Sequence, residues 1–118
     1  MTDLEQIHET INFYAEGGTK GEPETVAKAF HPSAYMKFIK DGELVDVPIQ
    51  KYFSDFIKNG VAQERIVTIN SIDITGNASS VKLTIDYSTH QFIDYFNMLK
   101  IDNRWLIVSK IFFRTNKV

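Results

Sequence analysis

The sequence predicts an α+β fold: three amphipathic helices packed on a curved, mostly antiparallel mixed sheet of about six strands that forms a cone-shaped pocket. Three observations predict it. Apolar residues recur at three- and four-residue spacing in segments before Gln63, whereas the chain after Gln63 reads as strand. Helices gathered ahead of hairpin-linked strands lie together on one side of the sheet. The strand pattern slips once, from Val67 and Ile69 to Ile72 and Ile74, which predicts a β-bulge near Asn70-Ser71 and a curled sheet. Finally, nine Phe, five Tyr and one Trp supply the rings that fill cores and line small-molecule pockets.

The first helix is marked by Leu4, Ile7, Ile11 and Tyr14, with Thr2 and Glu5 as a capping box and Gly17-Gly18 as its stop. Pro23 opens a short second helix carrying Val26, Ala27 and Phe30, and Pro32 ends it. Ala34 to Lys40 and Glu43 to Val47 form a hairpin around Asp41-Gly42. Pro48 opens a third helix, where Ile49, Tyr52, Phe53, Phe56 and Ile57 share a face before Gly60. Four strands follow: Arg65 to Thr75, Ala78 to Thr89, Gln91 to Ile101 and Arg104 to Arg114, with turns at Gly76-Asn77 and Asp102-Asn103. The last two strands are apolar on both faces. Helices cover one face, so the other calls for a partner, and a homodimer through the sheet face is expected.

With 118 residues, the chain is read as one domain over residues 1–118. It has no cysteine, which excludes disulfides, thiol catalysis and Cys-based zinc sites. Thirteen basic and fifteen acidic residues are interspersed, leaving a charge of −2 and no basic stripe, so no nucleic-acid partner is expected. The polar, acidic start is unlike a signal peptide, and no apolar run approaches the ~20 residues that span a bilayer. A cytoplasmic protein without a membrane partner is expected. The three histidines have no metal-binding spacing, so neither metal nor cofactor is implied.

The chain resembles the nuclear transport factor 2-like superfamily, with its cystatin-like cone, and within it the lumazine-binding or SnoaL-like branch. The resemblance covers nearly the whole chain. It rests on Phe13-Tyr14 before a Gly-rich loop into Glu22-Pro23, on Ala29-Phe30-His31-Pro32-Ser33-Ala34, and on Asp94-Tyr95-Phe96-Asn97-Met98-Leu99-Lys100 leading to Trp105-Leu106-Ile107-Val108-Ser109-Lys110. That superfamily hosts isomerases, cyclases, dehydratases and non-catalytic binding subunits, so function has to be argued from the site. In its ketosteroid-isomerase branch a helical tyrosine and a late-strand acid hold an oxyanion, while a first-strand aspartate moves the proton. The resemblance places Tyr14 at the tyrosine, Asn97 at the acid and Phe38 at the base. Phenylalanine accepts no proton, so that mechanism is absent in its usual form; a Tyr14–Asn97 donor pair could still hold a carbonyl.

Tyr14 also continues the Ile7-Ile11 stripe and so reads equally as core. Asn97 bonds either a neighbouring strand or a ligand. Asp94 shares a face with Phe92, Phe96 and Met98, at a dimer rim or in a pocket. His90 with Asp94 is the candidate acid–base pair, as the cyclase branch suggests by analogy. Lys110, among Leu106, Val108 and Phe112, reads as an amine that keeps its charge in water. The reading that follows is a small-molecule binding domain with an apolar, aromatic-lined pocket, its ligand contacts being Tyr14, Tyr35, Phe38, Tyr95 and Asn97. An acid–base enzyme using the same pocket, with His90 and Asp94 as catalytic candidates, is the alternative; a sheet-mediated interaction module is the third.

Overall fold

The computed structural model describes residues 1–117. Helix α1 (Asp3–Lys20) begins at the capping box, where Glu5 N donates to Thr2 Oγ1 at 3.1 Å and Thr2 N to Glu5 Oε1 at 2.9 Å. Gly17 and Gly18 do not stop it. The helix runs on to Lys20 and ends at Gly21, whose φ of 71° suits a residue without a Cβ. The glycine pair answers a packing demand instead. A Cβ on Gly17 would stand 2.9 Å from the Val26 backbone nitrogen, and one on Gly18 would collide with the Arg65 guanidinium.

Helix α2 (Pro23–Ala27) is shorter than expected, because Phe30 already belongs to strand β1 (Phe30–Lys40). Pro32, expected to end the helix, sits inside this strand between Phe30 and Tyr35, where the register slips and no ladder donor is required of it. Strand β2 (Glu43–Pro48), helix α3 (Ile49–Phe56), β3 (Ile66–Thr75), β4 (Ala78–Asp86), β5 (His90–Ile101) and β6 (Arg104–Asn116) complete the order. The six strands form one sheet in the order β2-β1-β6-β5-β4-β3, parallel between β1 and β6 and antiparallel elsewhere. The architecture is the α+β arrangement that the sequence predicts.

Bulges curl the sheet. One skips Asn70, where the sequence predicts it: Ile69 pairs with Leu83 and Ser71 with Lys82. Another falls at Val108, where Asn97 pairs with Ser109 but Met98 with Ile107. This second bulge moves Lys110 and Phe112 onto the face occupied by Trp105 and Ile107. The inner face thus carries Met36 and Phe38 from β1, Phe92, Asp94 and Phe96 from β5, and Lys110 and Phe112 from β6. Helix α1 is fastened across this face at its middle and at its N-terminus. Thr10 Oγ1 donates to the Trp105 carbonyl at 2.8 Å, and Asp3 accepts from Lys100 Nζ at 2.9 Å and Trp105 Nε1 at 3.0 Å. Ile7, Ile11, Val26, Met98 and Trp105 fill the dry end of the core; the other end stays open. No helix among the described residues is long and apolar enough to cross a membrane.

Candidate functional site

The open end is a cavity of about 740 Å³ between α1, α3 and the curled sheet. Its walls are mostly rings. Phe38 stacks on Phe112 with centroids 4.5 Å apart, and Phe92 meets Phe112 edge-on at 5.3 Å. Each of these rings is placed by strand alternation or by the bulge in β6.

At its inner end the cavity meets a buried polar cluster. Lys110 Nζ donates to Tyr14 Oη at 3.1 Å and to Tyr52 Oη at 3.4 Å, and stands 3.7 Å from Asp94 Oδ2. Tyr14 Oη donates to the same Asp94 oxygen at 3.4 Å. Asp94 is 1% exposed and Lys110 5%, so this ion pair is dry. The ammonium also lies 4.4 Å from the Tyr52 ring centroid and 4.9 Å from that of Tyr14, which adds cation–π attraction. Among the described residues Asp94 Oδ1 has no hydrogen-bond partner. Burial raises the Asp94 pKa, and Lys110, Tyr14 and Arg65 only partly oppose it. Burial also pushes the Tyr14 phenol well above its ordinary value, helped by Tyr52 and Asp94. The cluster therefore presents a hydroxyl that keeps its proton beside a carboxyl inclined to take one.

Arg65 forms a second polar wall just before β3. It donates to Thr19 Oγ1 at 2.9 Å, to the Ala15 carbonyl at 3.2 Å and to Tyr87 Oη at 3.2 Å. Tyr87 in turn donates to Gln63 Oε1 at 2.7 Å, and Gln63 Nε2 donates to the Gly18 carbonyl at 3.3 Å. Burial works against the charge on Arg65, but the oxygens of Tyr14 and Tyr87 outweigh it and its pKa is raised.

The sequence-predicted residues divide between the two faces of the sheet. Tyr14, Phe38, His90 and Asp94 line the cavity. Tyr35, Tyr95 and Asn97 do not. Tyr35 is 43% and Tyr95 45% exposed on the opposite face, where they underlie Lys37 and Lys82. Asn97 is exposed there too, accepting from Ser80 Oγ at 2.7 Å and donating to Ser109 Oγ at 3.1 Å. It stands in a shallower depression of about 340 Å³ that it shares with Ser80 and Asp73, away from Tyr14. The partner of Tyr14 is thus Asp94, an odd number of residues along β5 and so on the other face from Asn97. His90 and Asp94 line one cavity without pairing. Four residues of strand separate them by about 13 Å, and His90 stacks on Tyr87 at 4.5 Å and bonds Thr89 Oγ1 at 2.9 Å. Desolvation, with Arg114 and Lys117 nearby, lowers the His90 pKa.

Lys110, Tyr52 and Arg65 are cavity residues that the sequence reading missed. Lys110 does not keep its amine in water, because the Val108 bulge turns it inward. For Arg65 a signal existed: a glycine pair within a helical pattern implies that something approaches closely. Among the described residues no group of three or more His, Asp or Glu comes together as a metal site would need.

Comparison with known proteins places this geometry. The model of the family described as "Putative lumazine-binding" matches residues 2–113. The chain belongs to this family. Its fold is that of nuclear transport factor 2-like structures. An NTF2-like protein of unknown function from Shewanella baltica OS155 is 31% identical with a TM-score of 0.87, 99% of each chain being covered. A second, from Methylobacillus flagellatus KT, is 29% identical with a TM-score of 0.83, over 93% of this chain and 90% of the other. A curated relative, Aldolase FrzH from Cladobotryum sp, is 28% identical over 114 residues, 94% of this chain and 90% of that protein. The two solved relatives share the fold at 31% and 29% identity, and a shared fold does not fix function, which has to be read from the polar groups of the cavity.

Proposed function

We propose that this family member binds a compact, largely apolar small molecule bearing a carbonyl or enol oxygen, in the cavity between helices and sheet. One observation carries the reading: the ring-walled cavity ends on a dry cluster in which Tyr14, Lys110 and Asp94 share their hydrogen bonds. Rings supply area, and a few convergent polar groups fix orientation. Calorimetric titration with the neutral ketone 2-acetonaphthone tests it. Wild type binds, and Met36→Trp, which fills the cavity floor, loses binding at least tenfold; equal binding by both chains would place the ligand elsewhere.

A second reading, acid–base catalysis on the bound carbonyl compound, is favoured by the aldolase relative together with the Asp94–Tyr14 pair. Asp94 takes a proton from the carbon beside the carbonyl, and Tyr14, backed by the Lys110 ammonium, donates to the developing enolate oxygen. Deuterium uptake by the methyl group of the same ketone, followed by proton NMR, slows at least tenfold in Tyr14→Phe and in Asp94→Asn if this holds. His90 sits too far from Asp94 to serve as its base partner and is read here as a residue of the cavity mouth.

The homodimer belongs to this proposal as well, through the outer sheet face that carries Tyr35, Tyr95, Leu99, Ile111 and Phe113. A cytoplasmic location, part of the same proposal, is supported by the cysteine-free composition.

A further inference from the structure

The four cations that line the cavity are not equally matched by acids. Lys110 faces Asp94, the single carboxylate in the cavity wall. Lys40 and Arg114 stand exposed near the mouth and meet water. Arg65 is different: it is half-buried, yet among the described residues no carboxylate lies within ion-pair distance of it. Its three protein partners are two hydroxyls and one backbone carbonyl, all neutral. A guanidinium carries five donors in a rigid fork, so these bonds leave part of the fork unused. Hydroxyls and a carbonyl alone thus satisfy this charge, at the wall of the cavity of about 740 Å³. The chain even keeps Gly18 bare, because a Cβ there would displace the guanidinium.

The same cavity carries flat apolar surface. The rings of Phe38, Phe92 and Phe112 form it. Planar delocalised anions match the guanidinium fork with two parallel hydrogen bonds.

We propose that the ligand is a flat aromatic carboxylate whose carboxylate is received by Arg65. This rests on the cavity being a ligand site. The charged end engages Arg65 and the rings hold the body, while any carbonyl or enol oxygen elsewhere on the ligand is left to Tyr14 and Asp94. The wall thereby has separate places for binding charge and for a reacting oxygen.

The test compares 2-naphthoate with its neutral isostere 2-naphthamide by calorimetry at low salt, on wild type, Arg65→Gln and Arg65→Lys, with far-UV circular dichroism confirming that each is folded. The expected result is a preference of at least tenfold for the acid in wild type. Arg65→Gln loses that preference while still binding the amide, and Arg65→Lys, a charge without the fork, retains only part of it. Gly18→Ala supplies a variant that leaves Arg65 itself unaltered: its new methyl displaces the guanidinium, and the preference drops with it. Equal binding of acid and amide to wild type would overturn the role of Arg65 and leave the cavity reading standing. Failure of both to bind would overturn the two together.

Discussion

Asp94 shows how one residue couples the fold to the site. Folding takes its carboxyl out of water and raises its pKa above the ordinary 3.8, although Lys110, Tyr14 and Arg65 pull the other way. The folded chain therefore holds a proton on Asp94 at a pH where the unfolded chain has released it. Its contribution to stability is complete below the ordinary carboxylate range and is lost as pH rises through the raised folded value. Wild type should thus gain stability relative to Asp94→Asn as pH falls from neutral towards that range, measured by urea unfolding. A difference that does not change with pH would mean the carboxylate is well solvated by its partners. Asp94 was legible in the sequence as an acid among Phe92, Phe96 and Met98. Asn97 misled because the family resemblance, rather than alternation along β5, drew it towards Tyr14. Lys110 was illegible for a physical reason: Val108 is an ordinary strand residue, and nothing about it announces the bulge that turns the next residues over.

At the scale of elements, α1 and its glycines decide where the cavity wall stands. Alanine favours a helix interior over glycine by about 1 kcal/mol, so propensity alone predicts that Gly17→Ala stabilises the chain. Packing predicts the reverse. The new methyl would meet both the Val26 backbone nitrogen and its Cγ2 at 2.9 Å, so α2 must move away as a unit. Forcing a methyl into a packed site costs about 1–3 kcal/mol, which outweighs the propensity gain, so the variant should unfold at lower urea. A stabilised variant would show that α1 and α2 have room to spare. The helical pattern and the Asn70 bulge were readable because both rest on residue periodicity. The end of α1 was not: Gly17-Gly18 carries a stop signal, but the pair serves close approach, and Gly21 does the stopping. Likewise, Pro32 reads from the sequence as the end of a helix because proline marks both a helix boundary and an irregular strand.

Over the whole molecule, the sheet has one face given to the helices and cavity and another that leaves large apolar side chains in water. Tyr35, Tyr95, Leu99, Ile111 and Phe113 are all more than two-fifths exposed there. Pairing of this face with a second copy would bury them. Sedimentation equilibrium should then report a dimer for wild type and a monomer for Ile111→Lys, whereas a wild-type monomer at high concentration would remove the dimer. The general form of the cone was open to a reader of the sequence, because helix and strand periods and their order set it. The inner chemistry was not, since it depends on which face each bulge presents. The central claim is that the hollow end of the cone receives a ligand beside Tyr14 and Asp94. Its most direct measurement is the map of backbone amide shifts on titrating the protein with 2-acetonaphthone. Perturbations should concentrate at Phe38, Phe92, Asp94, Lys110 and Phe112; shifts confined to Tyr95, Asn97 and Leu99 on the outer face would contradict it.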